Sequence, residues 1–248
     1  MPCTAKKLHP GMTMAWISIL VILMAVPAAL PQSLSVSPVN VSLAAGVKNA
    51  TLMIVNHAEE ETSVQIRIFT WSQKDDGDQL SETPMVVVSP PIASIAPGGS
   101  QVVRILLRQP PQNREATYRI LVDQIPNAAK AGGVRMVLRM SIPVFVLPAA
   151  RAVSHLQFHL ERDGDKVFLV CLNDGLRHDL LRDIALTAAD GRKFKIAPGT
   201  PPYILSGVTH RWPIQVDGTL PKPGEVLHLT SSTDFGSIGQ DVQLVTAR

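Results

Sequence analysis

Gly133-Val134-Arg135-Met136-Val137-Leu138-Arg139-Met140-Ser141-Ile142-Pro143-Val144-Phe145-Val146 is the stretch on which the reading of this chain turns. At a period of two, Val134, Met136, Leu138, Met140, Ile142, Val144 and Val146 fall on one face of an extended strand. Arg135, Arg139 and Ser141 fall on the other, with Val137 and Phe145 among them. Strands usually run about five or six residues, so this one is long. Pro143 brings no N–H to a ladder, which favours an edge strand or a bulge. A long apolar edge is an aggregation hazard unless something covers it or pairs with it. The pattern predicts an edge built for pairing.

Outward from this stretch the chain repeats the same texture. Short alternating or apolar runs cover Leu34–Leu43, Ala50–Asn56, Ser63–Trp71, Met85–Ser89, Gln101–Leu107 and Thr117–Gln124. Turn residues separate them, among them Ala45-Gly46, Asp75-Asp76-Gly77, Pro90-Pro91 and Pro97-Gly98-Gly99. Beyond Pro148-Ala149-Ala150 a second set follows: Val153–Leu160, Lys166–Leu172, Leu181–Thr187, Lys193–Ile196, His210–Val216, Glu225–Thr230 and Val242–Thr246. No segment carries a convincing amphipathic helical period. The expectation is an all-β chain of two immunoglobulin-like β-sandwich domains, residues 32–148 and 149–248, without the Cys–Trp–Cys signature of antibody domains.

The N-terminus reads as a targeting segment. Lys6 and Lys7 precede the apolar run from Met14 to Val26, which ends at Pro27-Ala28-Ala29. The run is shorter than the ~20 residues a membrane span requires. Residues 1–31 are expected to be a cleaved secretory signal, leaving no span in the mature protein. Cys3 would leave with it, so Cys171 has no partner for an internal disulfide and reads as a buried structural thiol. An apolar fraction of 46% and a net charge of +3 describe a globular protein. Its Lys and Arg residues are scattered without aromatic interleaving, which argues against nucleic-acid binding.

The search for chemistry is mostly negative. There is no phosphate-binding glycine loop, no strand–Ser–helix elbow and no HExxH helix. His155 and His159 share a strand face with Gln157, but no third metal ligand is near in sequence, so a solvated face is the simpler reading. Asp75-Asp76-Gly77-Asp78 lacks the later ligands of a calcium loop and reads as a hairpin turn. No enzyme, metal or cofactor is expected. Arg104, Glu115 and Asp234 are charges in otherwise apolar text, and together they would make a buried network that holds only if mutually compensated.

These residues resemble PapD-like periplasmic pilus-assembly chaperones over nearly everything after the signal. The resemblance is carried by Ser37-Pro38-Val39-Asn40-Val41, Thr51-Leu-Met-Ile-Val-Asn56, Val64-Gln-Ile-Arg67, Trp71 and Ser89-Pro-Pro-Ile92. It continues through Ile95-Ala-Pro-Gly98, Gln101-Val-Val-Arg104, Glu115, Tyr118-Arg119, Val122-Asp-Gln-Ile-Pro126 and Ser141-Ile-Pro-Val-Phe-Val-Leu-Pro148. It implies a boomerang of two β domains in the periplasm of a Gram-negative bacterium. It also implies non-enzymatic capture of pilus or fimbrial subunits that lack their last strand. The chaperone lends its own strand, a form of β-augmentation, and an outer-membrane usher then receives the subunit. The donor positions would be Val134, Met136, Leu138 and Met140. Fully buried, each is worth roughly 1.5–3 kcal/mol.

Two departures stand out. Many members of the family hold the subunit's terminal carboxylate with two basic residues, and the matching positions here are Asn40 and Pro143. The wording Ser141-Ile-Pro-Val-Phe-Val instead resembles the archaic branch associated with spore coat protein U. Arg139, Arg135 and Asn40 are then the candidates for a different anchor. The family's structural ion-pair network maps onto Arg104, Glu115 and Asp234, with Asp234 tying one domain to the other. An uncovered edge of this kind can also close on a second copy of the chain. The rival reading is a secreted two-domain β adhesin or structural pilus subunit, which would need an N-terminal donor extension that is not evident.

Overall fold

A computed structural model describes residues 34–74, 77–126, 137–196, 203–215 and 219–245. They contain strands and no helix. No helix among them is long and apolar enough to cross a membrane.

Alternation decides where the first strands go. In β3 (Asn49–Asn56) Leu52 and Ile54 are buried, and in β8 (Ser100–Leu107) Val103, Ile105 and Leu107 are buried. Their intervening side chains mostly face solvent. These two strands pair in a four-stranded sheet of order β1-β3-β8-β6, with β1 spanning Leu34–Ser37 and β6 Val86–Ser89. The facing sheet runs β2-β10-β9-β4-β5, with β7 also on β4. Its members are β2 (Val41–Leu43), β4 (Thr62–Lys74), β5 (Gly77–Glu82), β7 (Ile92–Ile95), β9 (Ala116–Ile125) and β10 (Arg139–Val146). Ile66, Ile120, Val122, Ile142 and Val144 meet the first sheet in a common core, which makes a β-sandwich.

Leu34–Leu43 is two strands rather than one. The chain turns between Ser37 and Val41, so β1 joins one sheet and β2 the other. β4 and β5 pair antiparallel with Lys74 opposite Gly77, while Asp75 and Asp76 of the expected hairpin turn lie outside the described residues. Val134, Arg135 and Met136 lie outside the described residues, and β10 begins at Arg139.

The second unit comprises β11 (Leu156–Asp163), β12 (Lys166–Asn173), β13 (Asp179–Leu180), β14 (Arg182–Ala188), β15 (Lys193–Ile196), β16 (Tyr203–Ile204), β17 (Val208–Gln215), β18 (Val226–Thr233) and β19 (Gly236–Val245). Seven of these close into a barrel of order β11-β12-β17-β15-β14-β18-β19, sealed by parallel pairing of Leu160 with Leu244. Leu169, Cys171, Trp212, Leu227 and Leu229 fill it. Burial, with Asp179 as a lesser contributor, pushes the Cys171 thiol up in pKa, as suits an inert core group. His155, Gln157 and His159 point to solvent, opposite the buried Leu160 side of β11.

Asn56 closes β3 and Asn173 closes β12, both fully buried. Asn56 Nδ2 donates to the Glu60 and Ile95 carbonyls, both at 2.9 Å, and its Oδ1 accepts from the Ala58 N–H. Asn173 Nδ2 donates to the Arg177 and Ile204 carbonyls at 2.8 and 2.9 Å, and its Oδ1 accepts from the Gly175 N–H. Each asparagine knots the loop after its strand to a distant strand of its own unit, so neither of these two buried amides is left unpaired.

Candidate functional site

β10 changes character along its length. Val144, Phe145 and Val146 are held on both sides, in parallel by β2 and antiparallel by β9. Arg139 to Pro143 pair with β9 alone, and among the described residues no strand lies on their other side. The turn between β1 and β2 is the cause. Only the short β2 reaches this sheet, and it covers only the last residues of β10.

The free side has a defined polarity. The Gln124 N–H donates to the Leu138 carbonyl, so even-numbered residues of β10 direct their backbone at β9. The Leu147 N–H donates to the Leu43 carbonyl of β2, so odd-numbered residues direct theirs the other way. Arg139 and Ser141 therefore present their backbones to the open side, while Pro143 stands in register with the start of β2. The donor that proline lacks is missing there and not from the β9 ladder.

Leu138 and Met140 lie on the core-facing side of the sheet and are half-buried at the rim of the sandwich, next to fully buried Ile142 and Val144. Val137, on the opposite face, is 55% exposed. The expected donor positions that are described thus form an apolar row at the rim of the core.

Arg139, a candidate anchor, is already engaged. Its Nε bonds to Asp123 directly across the ladder, and Arg67 bonds to the other Asp123 oxygen at 2.7 Å. Partial burial alone would raise the Asp123 carboxyl, but the hydrogen bonds and charges of Arg67 and Arg139 together hold it below the usual carboxylate range. Asn40 precedes Val41, which pairs with Val144, so it flanks Pro143. Its Oδ1 is buried without a hydrogen-bond partner. Across from Pro143 on the other side is Arg119, which stacks 3.7 Å above Trp71 and bonds to Asp78 at 3.1 Å. Asn40, Pro143 and Arg119 form one transverse row.

The expected network of Arg104, Glu115 and Asp234 does not form. Arg104 occupies the solvent face of β8, between exposed Val102 and Leu106, because the alternation that buries Val103 and Ile105 turns it outward. Asp234 pairs with Arg182 at 2.7 Å, within its own unit. Glu115 alone is buried, and its partner is His178. Glu115 Oε2 accepts from the His178 backbone N–H at 2.9 Å and from Nδ1 at 2.6 Å. Arg177 Nε stands 3.8 Å from the other oxygen.

This pair belongs to a contact between the two units that sequence reasoning missed. Trp71 and Phe145 from the first unit meet Tyr203 and Leu205 from the second. The Gln73 side chain donates to the Tyr203 carbonyl at 2.9 Å and accepts from the Leu205 N–H at 3.0 Å. The Glu115 N–H donates to the Leu176 carbonyl. No charge pattern marks Gln73, His178 or Tyr203. The one available signal is Trp71 and Phe145, large aromatics on the strand faces that the core does not use.

The comparisons with known proteins agree with this geometry. Residues 33–152 match the family described as pili and flagellar-assembly chaperone, PapD N-terminal domain. No curated protein matches the chain in sequence. Among solved structures, the chain is similar to one in the CsuC–CsuE chaperone–tip adhesion subunit pre-assembly complex from archaic chaperone-usher Csu pili of Acinetobacter baumannii. The identity is 21%, the TM-score 0.65, and the match covers 88% of this chain and 100% of that one. It is also similar to the YadV chaperone, at 18% identity and TM-score 0.61 over 86% and 100% of the two chains. A third match is to the complex of Salmonella enterica SafA pilin with the SafB chaperone, at 18% identity and TM-score 0.58 over 86% and 96%. Residues 33–152 thus belong to the PapD N-terminal domain family, and the chain as a whole has the fold of a PapD-like pilus-assembly chaperone.

Proposed function

We propose that this protein is a periplasmic chaperone that lends the first half of β10 to incomplete pilus or fimbrial subunits and passes them to an outer-membrane usher. The observation that carries the reading is the half-open β10. Its apolar row reaches the rim of the core, and the odd-numbered backbone groups at Arg139 and Ser141 have no partner strand among the described residues. An incoming subunit would take Leu138 and Met140 into its groove, with Val134 and Met136 as the outer pair. Methionine at two of four positions suits grooves that differ between subunits, because it repacks easily. Residues 1–31 would direct export and be removed. Of the candidate anchors, Arg139 would have to leave Asp123 to act. Arg119, which would likewise have to share its bond to Asp78, supplies a cation in the row of Asn40 and Pro143 and is a further candidate for a subunit carboxylate.

The test is co-expression with a pilus subunit that lacks its last strand, followed by periplasmic fractionation and pull-down. The wild-type protein should protect and co-purify the subunit. Leu138→Asp with Met140→Asp should not. Equal recovery with both proteins would sink the lent-strand reading.

A further inference from the structure

Phe145 links the pairing strand to the second unit. It sits on the outer face of β10, 1% exposed, and its ring lies 3.5 Å from that of His178 at an interplanar angle of 8°. His178 is itself held firmly. Glu115 accepts from both its backbone N–H and its Nδ1, and the loop that carries it is tied by the Asn173 side chain to Arg177 and Ile204. Gly175 in that loop admits no other residue, since a Cβ there would lie 2.5 Å from the His155 nitrogen.

From Phe145 the strand runs unbroken to Arg139, on the order of 20 Å at about 3.3 Å per residue. A tilt of about 5° at the root would move the far end by roughly 2 Å, whereas a binding edge works best held within about 0.5 Å. We infer that His178 is a positioning residue for the lent strand. The second domain grips β10 at its root through the His178–Phe145 stack, so that Leu138 and Met140 meet a subunit groove already aligned. This inference rests on the lent-strand reading above. It gives the second domain a part in capture, although no groove-filling residue lies on it.

His178→Asn in the full chain is the sharpest test, because the asparagine amide stands where Nδ1 does, keeps a donor for Glu115 and removes only the ring over Phe145. Phe145→Leu removes the same stack from the other side. Hydrogen exchange across Arg139–Val146 should speed up and subunit capture should weaken, each about three- to tenfold, the scale that an aromatic pair supplies. The unfolding midpoint should stay within about 4 °C. In the wild-type protein, the His178 ring protons should resonate upfield under Phe145 and move when a subunit binds. Phe145→Leu should abolish both effects. Unchanged exchange across Arg139–Val146 in both variants would overturn the grip. A wild-type chain that captures no subunit would overturn the lent-strand reading instead, and the exchange result would still decide whether the grip exists.

Discussion

The two units treat their strand edges in opposite ways. The second closes on itself, with β19 laid parallel against β11, so its ring of seven strands has no long free edge. The first leaves the tip half of β10 open, next to a row of half-buried apolar side chains. Both units end a buried strand, β3 in one and β12 in the other, on the same kind of asparagine knot, and they differ in closure. An exposed edge is normally a liability that proteins remove. Its retention in one unit and its removal in the other are what the proposed function requires, with the open edge as the working part and the closed unit as its support.

The largest expected effect breaks the open edge without harming the fold. Leu138→Asp with Met140→Asp should weaken subunit binding on the order of a thousandfold, since two groove-filling side chains at roughly 2 kcal/mol apiece are lost. Both residues are half-exposed, so the thermal midpoint should barely move. Calorimetry on the subunit and a melting curve check the two halves of this statement.

The complementary change strikes the closed unit. Leu244→Ala, beneath the β19–β11 seal, should cost about 2–5 kcal/mol in urea unfolding through the cavity that it leaves. Subunit binding at 25 °C should fall far less than for the β10 variant. Glu115→Ala at the junction strands two buried donors of His178 and should cost about 2–3 kcal/mol. A stability equal to wild type would mean that the junction contributes nothing.

A smaller effect lies on the outer face of the open sheet. The Asp123 carboxyl is depressed in the folded chain, so its contribution is present above its ordinary pKa and is lost as pH falls through the lower folded value. Stability measured between pH 5 and about pH 2 should fall less steeply in Asp123→Asn than in wild type. Arg104→Ala should be the mildest, within about 0.5 kcal/mol, as a surface change. A loss of several kcal/mol there would restore the network that the geometry denies.

Much of the architecture was legible in the text. Strands whose alternation feeds a core, such as β3, β8 and β10, declare themselves, because a one-residue slip would turn Ile54 or Val103 to water. β5 escaped notice because Gly77–Glu82 buries no side chain and is held only by its pairing with β4. β7 was hidden behind the Pro90-Pro91 punctuation, and the two-residue strands β13 and β16 carry no pattern to read. Of the proposed site, periodicity marked the core-facing side of Leu138 and Met140, which the structure places half-buried at the rim of the sandwich. The site was illegible where partners are chosen by the fold. Arg104, in apolar text, looked buried and is not. The partner of Glu115 is a histidine in the other unit, which no charge count distinguishes from any other polar residue.

Pro143 has one further consequence. A visiting strand that pairs along β10 from its tip finds complete backbone partners at Arg139 and Ser141, then a residue that has no N–H to donate and whose carbonyl is in register with β2. Immediately beyond it, β2 already occupies the edge. The ladder a guest can build is thus finite, terminated by chemistry on one residue and by occupancy on the next. Such a boundary makes the exposed edge safe to carry. It admits a short, exchangeable strand and denies the endless stacking through which open sheets become fibres.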